Sequence, residues 1–441
     1  MCGQGRDWNR LGIQMTNQQD QQPMEKPKDW LTGFWSLFVV QFQGALSDNV
    51  FKFLVIFLLS NQIQDEGQKD SLITIVLATF SIPFILFSMG AGSVADRFSK
   101  RRIVMATKLF EVVVMSLGTA ALAVGHPYFL IGVVFLMSVQ SAFFGPAKYG
   151  LLPEMLPNDK LSWGNGMLGL GTFVSIITGG ILAGVLYQKL EGSVWQAGLI
   201  LIGLALVGLA SSRTISRVPP ANLNRRISFN VFTEFWRNFG LIKSDRVLLL
   251  AICGSTYFWF IGAVFSEPTI LSYGQEILQL SETRIGLLRA FLALGIGIGS
   301  GLAGFLSRGR IEHGFILVGA GGLSIFAGVL CLTGLTFNQV GIGLGFLGVA
   351  GGFFIVPINA LIQSIPASKD KGSVIATNNW LTSGGVFLAS GFFWILKVGL
   401  DLEANQIFLV GSIMTAGGAI LIAKLAPATV GRVKSWFTKA S

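Results

Sequence analysis

Two opposite charges lie inside one long apolar run: Asp48 and Lys52 fall within residues 34–60, in the string Gln41-Phe-Gln43-Gly-Ala-Leu-Ser-Asp48-Asn49-Val-Phe-Lys52. A run of that length suits a helix crossing a bilayer, because a rise of ~1.5 Å per residue needs roughly 20 residues to span ~30 Å of hydrocarbon. Four residues apart with the acid first, Asp48 and Lys52 share one helical face in the favourable order for a pair. Gln41, Gly44 and Asn49 fall on or beside that face. An unpaired charge near the bilayer centre costs about 2.5 to 3.5 kcal/mol. The stripe is therefore expected to face a protein-lined cavity as part of a pathway, with one site for an ammonium or other cation and one for a phosphate.

The rest of the chain supplies a membrane setting for that stripe. With 441 residues, 52% of them hydrophobic and 12% charged, and a mean hydropathy of +0.65, the chain is too apolar for a soluble globule, where about a quarter of residues are charged. The net charge of +10 is explained by membrane orientation, so no nucleic-acid partner is expected. Cys2, Cys253 and Cys331 show no metal-ligand spacing, and no phosphate loop of the form G-x-x-x-x-G-K-[ST] occurs. Neither a metal, nor another cofactor, nor direct ATP drive is expected. His126 and His313 sit at segment edges, and no nucleophile, base and orienter share a plausible site, so an enzyme is not expected. Residues 1–29 hold no apolar core, which speaks against a cleavable signal peptide at the start.

Twelve apolar spans are predicted, near 34–60, 71–95, 103–124, 127–147, 165–188 and 194–212, then 247–271, 283–306, 313–336, 338–361, 373–396 and 403–424. The predicted fold is an all-α integral membrane protein of two six-helix halves. Its parts are a polar tail (1–33), a first bundle (34–212), a linker (213–246), a second bundle (247–425) and a C-terminal tail (426–441). Lys and Arg crowd the tails, the mid-chain joint and the joints after even-numbered spans, whereas the opposite side holds only Lys69, Lys189 and Lys397. By the positive-inside rule both termini are cytoplasmic. Within the linker, Phe232, Phe235, Trp236 and Phe239 recur at helical spacing, as in an amphipathic connector lying along the membrane surface.

The segment Gly92-Ser-Val-Ala-Asp96-Arg97-Phe-Ser-Lys100-Arg101-Arg102 is similar to the loop signature of the major facilitator superfamily, with Ser99 where the family usually has glycine. A weaker echo, Gly301 to Arg310, follows the eighth span, as a duplicated six-helix unit would leave. Gly92 lets two helices approach closely, and Asp96 is suited to pair with a base or to cap a neighbouring helix N-terminus, like a latch for the inward-closed state. Topology alone can account for Lys100, Arg101 and Arg102. The string from Gln43 to Lys52 resembles the first-helix signature of the bacterial lysophospholipid transporters of that superfamily. Phe144-Gly-Pro-Ala-Lys148-Tyr149-Gly-Leu-Leu-Pro-Glu154 is similar to their stretch after the fourth helix. The likeness runs from about Gln41 to Asn379.

The resemblance implies alternating access that flips lysophospholipids, such as lysophosphatidylethanolamine, from the outer to the inner leaflet of a bacterial inner membrane for reacylation. Any acyltransferase would be a separate chain, because no H-x-x-x-x-D motif occurs here. A coupling ion, sodium or a proton, is compatible with Asp48, and the sequence does not choose between them. In the second half, Glu267 and Arg289 come to similar depth, as an outer gate or headgroup clamp; Glu267 beside Pro268 equally suits a wetted helix end. Asn359, Gln363 and Asn378 either line the inner half of the route or bridge helices. Lys108 and Glu111, three apart, suit a structural pair better than a substrate site. Two alternatives stand beside the flippase: a carrier for another small amphiphile, drug or sugar, and a non-transporting scaffold for a lipid-modifying enzyme.

Overall fold

The computed structural model describes residues 26–62, 65–265 and 267–438. Arg6 and Arg10 of the N-terminal tail, and the side chain of Glu267, lie outside what is described. The apolar runs form α1 (Trp30–Gln62), α2 (Glu66–Arg97), α3 (Lys100–Val124), α4 (Pro127–Met155), α5 (Leu161–Lys189) and α6 (Trp195–Ser212) in the first half. A connector helix, α7 (Val231–Ser244), leads to α8 (Arg246–Phe265), which continues through the short α9 (Glu267–Ser272) and a π turn at Tyr273–Ile277. The second half is completed by α10 (Glu282–Leu306), α11 (Gly314–Leu330), α12 (Phe337–Ser364), α13 (Lys371–Trp394) and α14 (Ala404–Leu425). The joints follow local chemistry: Gly125, at φ +70°, closes α3 in the left-handed conformation, and Pro127 opens α4.

This is the all-α, two-half membrane plan expected from the sequence, with three differences. Among the described residues, 11 helices are long and apolar enough to cross a membrane. The span expected at 313–336 is helical only over the 17 residues of α11, ~26 Å at ~1.5 Å per residue. Second, α4 runs on to Met155, so Lys148, Tyr149 and Glu154 lie in its last turns rather than in a stretch after it. Third, the stretch read as a C-terminal tail contains a helix, α15 (Pro427–Thr438).

Each half holds an apolar cluster at either end of its bundle, and the second half has a further small one of Ala303, Phe315 and Val356. We call the end that carries the Lys- and Arg-rich joints the basic end. The halves meet where α2 packs on α13 and α5 on α10. Small residues let the backbones close there: a Cβ on Gly92 would fall 2.4 Å from the Ala376 Cβ, and one on Gly166 2.4 Å from the Ser300 carbonyl oxygen.

The connector α7 is amphipathic in the inverted sense. Glu234, Asn238 and Ile242 face inward, with Asn238 donating to Thr377 Oγ1 at 3.0 Å, whereas Phe232 and Trp236 are 77% and 66% exposed. The aromatic residues Phe232 and Trp236 thus turn away from the protein.

Between α10 and α11, Glu312 accepts two hydrogen bonds from Arg432 of α15, at 2.7 and 2.9 Å, and lies 3.1 Å from Arg310. Burial pushes the Glu312 carboxyl up, but the Arg432 bonds and the two guanidinium charges outweigh it and hold the group below 4.5. A depressed carboxyl stabilises the docked helix above that ordinary value and loses the effect as pH falls through its lower folded value. Acidification from about pH 4.5 downward is therefore expected to weaken the docking of α15, read as a change in Trp436 emission, and Arg432→Ala should flatten that pH dependence.

Candidate functional site

Asp48 lies well inside α1 and is 9% exposed. Ser141 Oγ of α4 donates to its Oδ2 at 3.0 Å, while its buried Oδ1 has no hydrogen-bond partner. The pair suggested by the i, i+4 spacing does not form. Lys52 instead donates to Asn49 Oδ1 at 3.1 Å, with its ammonium over the rings of Phe53 and Phe80 at 5.0 and 5.5 Å. The reason is tertiary: α4 draws the carboxylate and α2 draws the ammonium, so two neighbours on one face point to different helices.

Behind Asp48 runs a buried polar network that joins α1, α3 and α4. Lys108 Nζ donates to Glu111 Oε2 at 2.6 Å and to Gln43 Oε1 at 3.0 Å, and Gln43 Nε2 returns to Glu111 Oε1 at 2.8 Å. Gln140 closes the chain, donating to Glu111 at 3.4 Å, and its Oε1, 3.2 Å from Ser141 Oγ, shares that hydroxyl's single proton with Asp48. Gln41 lies toward the basic end of α1. It accepts from Lys148 of α4 at 2.8 Å and donates to Thr172 of α5 at 2.9 Å.

At the basic end the two halves are latched. Asp96, at the end of α2, accepts from Gly372 N at 2.7 Å, Ser373 N at 3.0 Å and Ser373 Oγ at 2.5 Å, and so caps the N-terminus of α13. Asn165 of α5 and Gln363 of α12 exchange two amide hydrogen bonds of 2.8 Å each, and Ser162 donates to the Arg310 carbonyl at 3.2 Å. Among the described residues, every hydrogen bond between the two bundles sits at this end. Replacing Gln363 by Leu would leave the buried Asn165 Oδ1 without its donor and is expected to cost the closed arrangement about 1 to 3 kcal/mol. The double variant Asn165→Leu/Gln363→Leu should recover much of that loss, with labelling of a cysteine above the latch as the readout.

The motif charges divide. Lys100 is wholly buried, in a 2.5 Å ion pair with Glu154, so topology alone does not account for it. Arg97 reaches the Arg225 carbonyl at 3.4 Å, and Arg101 the Arg213 carbonyl, which ties the turn to the linker. In the second half, Arg289 and Asn359 are half-buried, and Asn378 is buried with Oδ1 unpartnered. Gln140 and Ser141 are not singled out from the sequence. The polar step Gln140-Ser141 inside an apolar run was the available signal.

Two bundles of membrane-spanning helices around an internal charged network, closed at one end by a helix cap, describe a two-half membrane carrier. Residues 37–390 match the sequence profile of the Major Facilitator Superfamily, and the chain belongs to that family. It is 29% identical over 377 residues to the protein named lysophospholipid transporter LplT from Escherichia coli O157:H7, covering 82% of this chain and 88% of that one. It is 26% identical over 385 residues to the Photorhabdus laumondii protein of the same name, covering 85% and 91%. The fold is similar to the human organic anion transporter MFSD10 (TM-score 0.74, 12% identity, 90% of this chain and 100% of that one). It is also similar to a bacterial homologue of the iron transporter ferroportin in its outward-facing state (TM-score 0.71, 17% identity, 90% and 99%). The chain is a multi-pass membrane transporter, not an enzyme.

Proposed function

We propose that this protein moves lysophospholipids, lysophosphatidylethanolamine among them, from the outer to the inner leaflet of a bacterial plasma membrane by alternating access. The observation that carries this reading is the orphaned Asp48 Oδ1: a buried carboxylate oxygen without a partner calls for a donor, and the substrate's ammonium is one. The names of the relatives support the substrate class. The excess of Lys and Arg sets the basic end and both termini in the cytoplasm. Bundles 34–212 and 247–425 would then rock about the linker 213–246, with Asp96 and the Asn165–Gln363 pair as the inner gate. Sodium or a proton at Asp48 is the coupling ion to test, and a separate acyltransferase would consume the flipped lipid.

The test places labelled lysophosphatidylethanolamine in the outer leaflet of proteoliposomes and follows its loss from albumin extraction. Asp48→Asn is expected to slow transfer by roughly 10- to 100-fold, the worth of one charge-assisted contact of about 1.5 to 3 kcal/mol. Uptake of a soluble solute with no lipid movement would instead identify a carrier for another small amphiphile, drug or sugar. A scaffold is indicated if cells tolerate neutralisation of Asp48 and Lys52 without a phenotype.

A further inference from the structure

Among the described residues three lysines are buried, and two have a carboxylate: Lys100 meets Glu154 at 2.5 Å and Lys108 meets Glu111 at 2.6 Å. The third, Lys148, is 7% exposed and has no acid within ion-pair distance among the described residues. One of its three N–H groups goes to Gln41 Oε1 at 2.8 Å, and the ammonium lies over the rings of Tyr149 and Phe144 at 4.3 and 5.3 Å. The Gln41 amide is held with its oxygen toward the lysine, because its Nε2 donates to Thr172, which in turn donates to the Leu168 carbonyl at 2.7 Å. Two ammonium donors are left without an acceptor. A buried charge is ordinarily paired, so the arrangement is one anion short.

Its place explains which anion. Asp48 and Ser141 form one rung between α1 and α4, and Gln41 and Lys148 form a second, each partner seven residues along its helix toward the basic end. Seven residues are two turns, ~10 Å at ~1.5 Å per residue. The second rung lies on the seam between the bundles. The Tyr149 ring packs into apolar clusters of both halves, and a Cβ on Gly145, one turn away, would meet Asn379 of α13 at 3.2 Å. Directly beyond, Ser373 is held by Asp96.

We infer that Lys148, oriented by Gln41, is an anion station for the substrate's phosphodiester, reached after Asp48 as the latch at the basic end parts. This rests on the lysophospholipid reading. The headgroup meets the Asp48 rung with its ammonium and the Lys148 rung, nearer the basic end, with its phosphate. The α4 lysine, rather than Lys52, then reads the feature shared by all glycerophospholipid headgroups, and Asp48 reads the part that varies.

The experiment compares wild type with K148M, K148Q and K148R in proteoliposomes and in detergent. K148M should melt at or above the wild-type temperature, since an unpaired buried charge has been removed, yet transfer lysophosphatidylethanolamine at least ~100-fold more slowly. K148R should keep a tenth or more of the rate. Glycerol phosphate at millimolar concentration should raise the melting temperature of wild type and K148R but not of K148M or K148Q. Wild-type transport by K148M or K148Q, or equal stabilisation of all four proteins by glycerol phosphate, would overturn the station. Should K148M unfold, K148Q decides, because it retains a donor for Gln41 without the charge. If wild type moves no lysolipid, the transport reading fails by itself, and the glycerol phosphate arm still accepts or rejects the station.

Discussion

Replacing Asp96 by alanine is expected to move the bundles from the closed toward the open arrangement at the basic end by about 2 to 4 kcal/mol, roughly a 30- to 1000-fold change in the ratio of the two. The carboxylate accepts three hydrogen bonds, two from backbone N–H groups of Gly372 and Ser373 and one from the Ser373 hydroxyl. Bonds to a charged acceptor are each worth about 1.5 to 3 kcal/mol, and a helix N-cap about 1 kcal/mol. The sum is discounted because water reaches the freed α13 terminus once the latch opens. Asp96→Asn should fall only slightly short of alanine, because its amide NH2 would meet the backbone donors that the second carboxylate oxygen now satisfies. The measurement is the labelling rate of a cysteine at position 379, in a chain lacking its natural cysteines, by an impermeant maleimide added from the basic side. A rate unchanged by Asp96→Ala would remove this contact from the gate.

Gly92 belongs to the same contact, and its substitution acts by volume instead of charge. A Cβ there would fall 2.4 Å from the Ala376 Cβ and 2.9 Å from the Gly372 carbonyl oxygen, both on α13. Neither neighbour is the flexible end of a side chain. Gly92→Val should therefore hold the basic end apart as Asp96→Ala does, raising the same labelling rate while leaving each bundle's own packing in place.

What the sequence made legible was everything that depends on local pattern. Apolar runs gave the spans, and the clustering of basic joints gave one charged end. Long-range partnership was another matter. The acid at position 96 stood out as suited to capping a helix, but its partner lies 276 residues away in the chain, and no spacing rule reaches that far. The expected Asp48–Lys52 pair failed for the same reason: Ser141, 93 residues on, takes the carboxylate. The end of α4 was misplaced because Pro146, Lys148, Pro153 and Glu154 read as an exit from the membrane. In the folded chain those polar groups are instead buried against α1 and α3, where Lys148 bonds to Gln41 and Glu154 to Lys100. Hydropathy cannot separate a polar residue facing water from one facing another helix.

The Lys108–Glu111 pair is where the largest stability effect is expected, and it also separates support from function. Both side chains are essentially inaccessible, and Glu111 accepts from Lys108, Gln43 and Gln140. Glu111→Leu leaves the buried Lys108 ammonium with the neutral Gln43 Oε1 as acceptor and no counter-charge at ion-pair distance, and breaking a buried pair in this way costs about 3 to 5 kcal/mol. The double variant Lys108→Met/Glu111→Leu removes both charges and is expected to lie near wild type or up to about 4 kcal/mol above it, since two desolvated ions are exchanged for packed hydrocarbon. Thermal unfolding of the four proteins of this cycle in detergent gives the coupling directly. Transport by the double variant then answers a different question. Ser141 bridges Gln140 to Asp48, so losing the Glu111 charge alters the field at the Asp48 carboxylate without touching it. A stable double variant that transports normally would make the network a scaffold for α1 and α4; a stable one that has lost transport would make it the means by which the charge state of Asp48 is set.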